Sequence, residues 1–230
     1  MTMNLATTPP ESIDELMKRA TAIAGMRLGQ LAQQWNVAVP LDLRREKGWV
    51  GQLIERALGA SAASLAEPDF QLIGVELKTI PLDRHGRPRE STYVCTVPLE
   101  TEAMGQRWEI SWVRRKLATV LWMPVEGDNT IALAERRIGN PLLWCPTAEE
   151  EALLRNDWEE LMEMICTGQL ESITASLGEA LQIRPKAASA SVRGRAIGVE
   201  GTLVRTNPRG FYLRSRFTAA ILQRSFISGE

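Results

Sequence analysis

The chain has 230 residues with 27 basic and 28 acidic side chains, so its formal net charge is −1. Its 44% of hydrophobic and 24% of charged residues are typical of a globular protein, and a chain of this length can bury a core without disulfides. Three widely spaced cysteines argue against a disulfide framework and against zinc, and the single histidine, His85, excludes a histidine-rich metal site.

The sequence predicts a cytoplasmic protein. The opening residues, MTMNLATTPPESIDE, lack a basic segment followed by an apolar stretch, so we expect no export signal. The longest apolar run, Ala118–Val125, is interrupted by Thr119 and is far too short to cross a bilayer. The odd number of cysteines also suits a reducing cytosol, and we expect no membrane partner.

Helical periodicity with matching caps predicts five helices. They span residue 13 to the stop at Gly25, 27–35, 49–58, 147–166 and 217–224. Ser12 and Glu15 form a capping box for the first helix, and Gly59 ends the third. Thr147 can cap the fourth helix, whose acidic residues favour its N-terminal turns.

Alternating apolar and β-branched residues predict six strands. They span residues 70–80, 91–97, 120–125, 141–144, 181–184 and 210–213. The turn sequence of residues 85–88 lies between the first two strands, which we therefore expect to form a hairpin. The predicted fold class is mixed α/β, with a sheet of antiparallel and mixed strands.

The near-zero net charge conceals an uneven distribution. Residues 148–180 contain nine acidic side chains and one basic, whereas residues 181–230 contain nine basic and two acidic. A phosphate-binding face needs local positive charge rather than a high overall charge, so nucleic acid stays a candidate partner. Chance variation between solvated faces explains the same pattern equally well.

The residues best suited to catalysis lie between Pro68 and Lys78. On a strand, Glu76 and Lys78 point to the same side, and Asp69 lies at the start of the same predicted strand. Carboxylate oxygens suit Mg²⁺, and a neighbouring lysine can orient and activate water for attack on a phosphodiester. Glu55, at the edge of the apolar face of the preceding helix, is a source of another carboxylate.

An amphipathic strand with a surface ion pair is the alternative explanation of this pattern. The scarcity of lysine favours the catalytic interpretation, because the chain has 22 arginines and only five lysines. In so arginine-rich a chain, a retained lysine indicates a need for a compact, titratable ammonium group. The five are Lys18, Lys47, Lys78, Lys116 and Lys186.

Pro68-Asp69 followed by Glu76-Leu77-Lys78 resembles the PD-(D/E)xK signature of many type II restriction endonucleases. Longer segments resemble the MutH family of DNA mismatch repair proteins, in the same order along nearly the whole chain. These segments are residues 47–62, 68–83, 120–127, 136–144, 157–165, 182–188 and 208–213. They are far more specific than the nuclease signature alone.

The resemblance implies a single endonuclease domain of residues 1–230 with a restriction-endonuclease-like core. Within this domain, it implies two sub-domains around a DNA-binding cleft. It implies a Mg²⁺-dependent endonuclease, with Mn²⁺ as a substitute ion, that nicks the unmethylated strand at hemimethylated GATC sites. It also implies a monomer that binds double-stranded DNA and is activated by MutL, acting with mismatch-bound MutS.

The resemblance also assigns roles to residues of the active site. The implied catalytic set is Asp69, Glu76, Lys78, Glu55 and Lys116. The implied metal ligands are Asp69, Glu76, Glu55 and the backbone carbonyl of Leu77. For Lys116, which ends the basic run 114–116, a solvated turn is the alternative interpretation.

The implied DNA-binding residues fall in two places. They are Lys47, Gly48, Arg184, Pro185, Lys186 and Tyr212. The first two precede the third predicted helix, and the others lie in the basic tail, where loops with Arg, Lys and an aromatic suit groove contacts. From the residues alone, a core or rim position explains Tyr212 equally well.

Two other functions are alternatives to this interpretation. A GATC-cutting type II restriction endonuclease needs the same metal site but must cut both strands, which usually requires a dimer. A non-catalytic DNA-binding protein on the same fold is the third interpretation, and the intact set of two acids and a lysine argues against it.

Overall fold

The computed structural model describes residues 8–43, 45–62, 67–99, 105–186, 194–198 and 200–227. The chain forms two compact units whose segments alternate along the sequence. The first unit comprises Met1–Arg89, Thr119–Cys145 and Ser225–Glu230, and the second unit comprises Glu90–Ala118 and Pro146–Arg224. Within the part of the chain that is described, no helix has both the length and the apolar character needed to span a bilayer.

The described residues contain six α-helices and eight strands, which gives the mixed α/β class that the sequence predicts. The helices are α1 (Ile13–Ile23), α2 (Leu28–Gln34), α3 (Trp49–Leu58), α4 (Trp112–Leu117), α5 (Ala148–Cys166) and α6 (Ser215–Ile227). The strands are β1 (Glu76–Leu82), β2 (Thr92–Thr96), β3 (Val120–Glu126), β4 (Leu142–Trp144), β5 (Leu181–Pro185), β6 (Gly194–Ile197), β7 (Leu203–Thr206) and β8 (Arg209–Leu213).

The first unit contains a three-stranded sheet in the order β1-β3-β4, with β1 parallel to β3 and β4 antiparallel to β3. Helix α3 packs against β1. Its apolar face forms one core with strands β1 and β3, which includes Leu53, Leu77 and Leu121. Full burial of each such side chain stabilises the fold by about 1.5–3 kcal/mol. This packing fixes β1, the strand that carries the predicted catalytic pair.

The second unit contains an antiparallel sheet in the order β2-β8-β5 and a separate two-stranded ribbon, β6-β7. Helix α5 packs against β5. Thr147 caps α5 by accepting a hydrogen bond from the Glu150 backbone, and the predicted stripe of Leu154, Trp158, Leu161 and Ile165 is buried. The predicted cap and buried face of this helix are confirmed.

The predicted strand over residues 70–80 is only partly correct. Gln71–Ile73 form a single 3-10 turn, Gly74 adopts a left-handed conformation with φ of 65°, and β1 begins only at Glu76. Leu72, which contributes to the alternating pattern, is 69% exposed. The alternation fails because a glycine in the left-handed region lets the chain reverse, so that Phe70 and Val75 bridge each other.

The predicted hairpin between residues 70–80 and 91–97 is wrong. The intervening turn is real, since the Asp83 carboxylate accepts backbone hydrogen bonds from His85 and Arg87. After the turn, however, the chain makes only an isolated bridge between Leu82 and Pro88, and β2 pairs with β8 instead. Turn chemistry is local, whereas strand pairing is decided by distant partners.

Three elements were not predicted from the sequence: helix α4 and strands β6 and β7. Ser111 caps α4 by accepting a hydrogen bond from the Arg114 backbone. The basic run therefore lies on a helix, and Lys116 is 9% exposed. A solvated turn, the alternative interpretation of Lys116, is wrong.

Candidate active site and recognition face

Glu76 and Lys78 form a close ion pair at the start of β1. Lys78 Nζ lies 2.5 Å from Glu76 Oε1, and the Lys78 and Glu76 side chains are 11% and 4% exposed. Their positions two residues apart place both on one face of the strand, as predicted, while Leu77 enters the apolar core. A pair this well buried is not the surface ion pair of the alternative interpretation.

Asp69 reaches the same strand through the reversal at residues 70–75. Its Oδ2 accepts a hydrogen bond of 2.8 Å from the backbone N–H of Leu77. Its backbone carbonyl accepts hydrogen bonds from Ser61 and Ala62, which hold the residue from the other side. The turn thus brings together Asp69 and the Glu76–Lys78 pair, although Asp69 does not lie on the strand itself.

Glu55 approaches β1 from helix α3. A Cβ added to Gly51, one turn earlier on the helix, would lie 3.7 Å from Glu55 Oε1 and 3.9 Å from Thr79 Oγ1. The half-buried Glu55 carboxylate therefore lies where α3 passes the strand at Thr79. Among the residues that the structure describes, no three His, Cys, Asp or Glu side chains gather as a ready metal centre.

The donor set at the start of β1 fits a magnesium ion. Asp69 and Glu76 supply hard carboxylate oxygens, and the Leu77 residue beside them supplies a backbone carbonyl. Each carboxylate has about four lone-pair sites, so Asp69 can accept the Leu77 hydrogen bond and still bind a metal. Mg²⁺ usually takes one or two carboxylates and keeps several waters, which suits a site with few protein ligands.

The other predicted residues of the first unit lie before α3. Lys47 is exposed, and Gly48 occupies the position before the helix with φ of 93°, a conformation that strongly favours glycine. The two residues form a turn before the helix, and their contact with DNA stays a prediction. Lys116 belongs to the second unit, on α4.

The second unit gathers three predicted recognition residues, Arg184, Lys186 and Tyr212, on one face of the β2-β8-β5 sheet, hereafter the recognition face. Tyr212 lies opposite Gln182 of β5 and Tyr93 of β2, and the two tyrosine rings meet edge to face with centroids 5.4 Å apart. The Arg184 guanidinium lies 5.9 Å from the Tyr212 ring centroid, and Lys186 Nζ lies 5.0 Å from that of Tyr93. Two cations therefore flank a pair of aromatic rings.

Hydrogen bonds fix the cations of the recognition face. Arg184 donates to the Ser91 hydroxyl at 2.7 Å, and Lys186 donates to the Tyr93 hydroxyl at 3.2 Å. Arg184, Pro185 and Lys186 are all exposed at the end of β5. The face thus presents ordered positive charge and aromatic surface, the combination that groove contacts require.

The Tyr212 phenol stays protonated at neutral pH. Partial burial raises its pKa above the ordinary value, and the neighbouring Tyr93 hydroxyl acts in the same direction, while the Arg184 and Lys186 cations oppose both. The hydroxyl is therefore available as a neutral donor or acceptor. Tyr212 is half-buried within this face and is not a core residue.

Glycine is required at position 210 for the rings to pack. A Cβ at Gly210 would lie 2.8 Å from Tyr93 Cε2 and 3.0 Å from Tyr212 Cε2, closer than ordinary contacts allow. Tyr93 and Ser91 were not singled out from the sequence. The only available signal was the position of Tyr93 within a predicted strand, because its pairing with Tyr212 joins residues that are far apart in the chain.

The fold and the acid-lysine strand define the class of protein as a restriction-endonuclease-like enzyme. A family model described as DNA mismatch repair enzyme MutH matches residues 58–157. The chain is 55% identical over 218 residues to the DNA mismatch repair protein MutH of Serratia proteamaculans, covering 95% of both chains. It is 54% identical over 220 residues to that of Escherichia coli, covering 96% of both chains.

The chain belongs to the MutH family of DNA mismatch repair enzymes. The resemblance noted in the sequence is thereby confirmed, and with it the endonuclease role of the family and DNA as its substrate.

Proposed function

We propose that this protein nicks the unmethylated strand of DNA at hemimethylated GATC sites by Mg²⁺-dependent phosphodiester hydrolysis. The observation that carries the proposal is the arrangement at the start of β1. Asp69 is held to Leu77 by a backbone hydrogen bond, and the buried Glu76–Lys78 pair adjoins it. Two acids and a lysine at one strand end suit phosphodiester cleavage, and the chain belongs to a family of mismatch repair enzymes.

The metal would be held by Asp69, Glu76 and the backbone carbonyl of Leu77, with Glu55 as an accessory carboxylate. Mg²⁺ bound there would lower the pKa of its bound water and stabilise the negative charge that develops on the oxygens of the scissile phosphate. Lys78, beside Glu76, places a fixed positive charge where it can orient the attacking water and stabilise the transition state. Lys116 is proposed as a further active-site lysine.

Recognition of the methylation state is assigned to the second unit. In the major groove, adenine offers N7 as an acceptor and its N6 amino group as a donor. Pro185 supplies a carbonyl on a backbone of fixed φ, and Tyr212 supplies a rigid ring flanked by Arg184. A methyl group on N6 removes one donor hydrogen and adds bulk, so close packing of these residues would exclude the methylated base.

Lys47 and Gly48 are proposed as additional DNA contacts from the first unit. We further propose activation by MutL, acting with mismatch-bound MutS, and action as a monomer in the cytoplasm. Membership in the MutH family supports these proposals.

The test uses plasmids with one GATC site in unmethylated, hemimethylated and doubly methylated forms. We expect Mg²⁺-dependent nicks confined to unmethylated strands, a faster rate when MutL is added, and no cleavage of the doubly methylated plasmid. Mn²⁺ should replace Mg²⁺, and a plasmid without GATC is the control.

Two results would contradict the proposal. Coordinated cutting of both strands in single encounters would favour a GATC-specific restriction endonuclease. Binding to GATC duplex without nicking, under all of these metal and MutL conditions, would favour a non-catalytic DNA-binding protein.

A further inference from the structure

A buried carboxylate outside the active site holds one end of the recognition face. Asp157 lies on α5, is 5% exposed, and has no role in the proposed chemistry. Its carboxylate accepts backbone hydrogen bonds from three consecutive residues, Glu179, Ala180 and Leu181, at 2.7–2.9 Å. Hydrogen bonds from backbone N–H groups to an ionised carboxylate are about twice as strong as those between neutral groups.

The segment bound by Asp157 is also tied to the end of β8. The Arg214 guanidinium donates to the carbonyls of Ala175 and Leu177, and the Arg214 backbone N–H donates to the carbonyl of Ala180. Gly178 makes the approach possible, since it has φ of 79° and a Cβ there would lie 2.0 Å from the Leu181 carbonyl oxygen. The segment is therefore fixed from α5 on one side and from β8 on the other.

The residues that Asp157 binds immediately precede and begin β5. Leu181 is the first residue of this strand and pairs with Leu213, so the next pair joins Gln182 to Tyr212. Arg184 follows two residues later on the same face. A shift of β5 by one residue would turn Arg184 and Lys186 to the opposite face, away from the tyrosine rings.

We infer that Asp157 is a positioning residue for DNA recognition. By fixing the start of β5, it sets the register that places Arg184 and Lys186 beside Tyr212 and Tyr93. It touches neither DNA nor the reacting atoms and acts through the strand. The inference rests on the proposed GATC-specific nicking activity.

The experiment compares Asp157→Asn with Glu159→Gln. The amide introduced by Asp157→Asn would present an NH₂ group to backbone N–H donors, so at least one of the hydrogen bonds must be lost. Glu159 undergoes the same carboxylate-to-amide change on the same helix, but it is exposed and pairs with Arg155 at the surface. The measurements are kcat and KM on unmethylated GATC duplex, affinity for duplex lacking GATC, and the folded fraction by circular dichroism.

For Asp157→Asn we expect KM to rise by about tenfold or more, the scale of one lost base contact. We expect kcat at saturating DNA to stay within about twofold of the wild-type value, because Asp157 does not touch the reacting atoms. Affinity for duplex without GATC should also stay within about twofold, because phosphate contacts account for non-specific binding. Glu159→Gln should match the wild type in every measurement. A merely structural role would instead lower kcat and both DNA affinities in proportion to the folded fraction, and that result would overturn the inference.

Asp157→Glu keeps the test decisive if Asp157→Asn fails to fold. It retains the charge and displaces the carboxylate by one methylene, so we expect it to fold and to show a smaller rise in KM with unchanged kcat. An unchanged KM in a folded Asp157→Glu protein would overturn the inference. If the wild-type protein fails to nick GATC duplex, the proposed function is wrong and the inference is wrong with it. If the wild-type protein nicks GATC duplex and the folded Asp157 variants have an unchanged KM, only the inference is wrong.

Discussion

At the scale of single residues, the proposed active site includes a carboxylate, that of Asp69, that lies outside strand β1. Asp69 is fixed by the Leu77 N–H and by its own carbonyl, not by strand geometry. An amide at this position can still accept the Leu77 hydrogen bond but has no negative charge with which to bind a metal. This substitution therefore separates the proposed catalytic role of Asp69 from its structural role.

We therefore predict that Asp69→Asn abolishes Mg²⁺-dependent nicking while leaving DNA binding largely intact. Loss of a metal ligand weakens both water activation and charge stabilisation, and several kcal/mol of barrier correspond to a loss of about a hundredfold or more. Initial nicking rates and binding titrations provide the measurement. Asp83→Asn, in the turn after β1, is the matched control and should nick at the wild-type rate.

Lys78→Ala should also abolish nicking, but it is the less selective variant. It removes the cation beside a buried Glu76 carboxylate, and breaking a buried pair typically destabilises a protein by about 3–5 kcal/mol. Thermal unfolding must therefore accompany the rate measurement. Wild-type nicking by either Asp69→Asn or Lys78→Ala would mean that the catalytic assignment is wrong.

The Tyr212 ring leads to a prediction about methyl discrimination. Tyr212→Ser should narrow the preference for unmethylated over methylated strands by about tenfold or more, since one close base contact contributes about 1–3 kcal/mol of discrimination. Nicking rates on matched unmethylated, hemimethylated and doubly methylated GATC duplexes test this. Tyr212→Phe retains the ring and isolates the contribution of the hydroxyl. If Tyr212→Ser lowers the unmethylated and hemimethylated rates by one common factor and still does not cut the doubly methylated duplex, Tyr212 contributes to packing or to general binding.

At the scale of elements, the sequence predicts helix caps and stops, which depend on neighbouring residues, better than strand pairing, which depends on distant residues. The caps and stops of α1, α3 and α5 involve neighbouring residues, and these helices form where they were predicted. The Glu76–Lys78 pair was equally accessible, because side-chain alternation on a strand is local. The pairing of β1 with β3 and of β2 with β8 depends on residues far along the chain, and the predicted hairpin was wrong for this reason.

The candidate site shows the same difference between local features, which the sequence predicts, and long-range contacts, which it does not. Asp69 was identified by residue type and spacing, but its position depends on the reversal at Gly74, which an alternating pattern does not reveal. Tyr93 joins the recognition face only through its cross-strand pairing with Tyr212. Asp157 gave no sequence signal beyond its place in an acidic helix, since the N–H groups that it binds lie more than twenty residues later.

The β6-β7 ribbon bears two arginines on opposed strands. Arg195 and Arg205 lie directly opposite each other in register, and both are exposed. The two side chains concentrate positive charge on the ribbon, and arginine side chains suit contacts with DNA phosphates. Arg193, the third arginine of this basic segment, lies outside the described residues.

We predict that Arg195→Gln combined with Arg205→Gln weakens binding to all duplex sequences about equally. If both side chains contact phosphates, the slope of log affinity against log salt concentration should fall by about two units, one for each contact. Binding titrations at several salt concentrations measure the slope, and thermal unfolding checks that the variant is folded. Arg155→Gln, on the acidic helix α5, is the control; an unchanged slope in the double variant would make the ribbon a solvated surface.

At the scale of the whole molecule, the uneven charge distribution has a structural use within the second unit. Acidic residues from the stretch 148–180 pair with arginines from other elements: Glu151 with Arg114, and Glu171 with Arg209. The acidic stretch thus serves partly to hold basic elements in place. The alternation of the two units along the chain could not be predicted, because it depends on which distant segments pack together.

The number of active sites per chain determines whether one strand or both strands are cut in one encounter. Under the proposed function, one chain supplies one catalytic set of Asp69, Glu76 and Lys78, and one set cleaves one strand. Coordinated cleavage of both antiparallel strands would require two copies related by a twofold axis. We therefore predict that nicking of hemimethylated GATC plasmid is first order in enzyme concentration and that the product is an open circle.

Sedimentation of the enzyme alone and on a single-site duplex, together with the concentration dependence of the rate, tests this prediction. The sedimenting species should be one chain per site, and linear DNA should form from unmethylated plasmid only through a second, independent nick. Doubling the enzyme concentration should therefore double the nicking rate. A rate that rises with the square of enzyme concentration, with linear product formed at once, would instead show a dimer that cuts both strands.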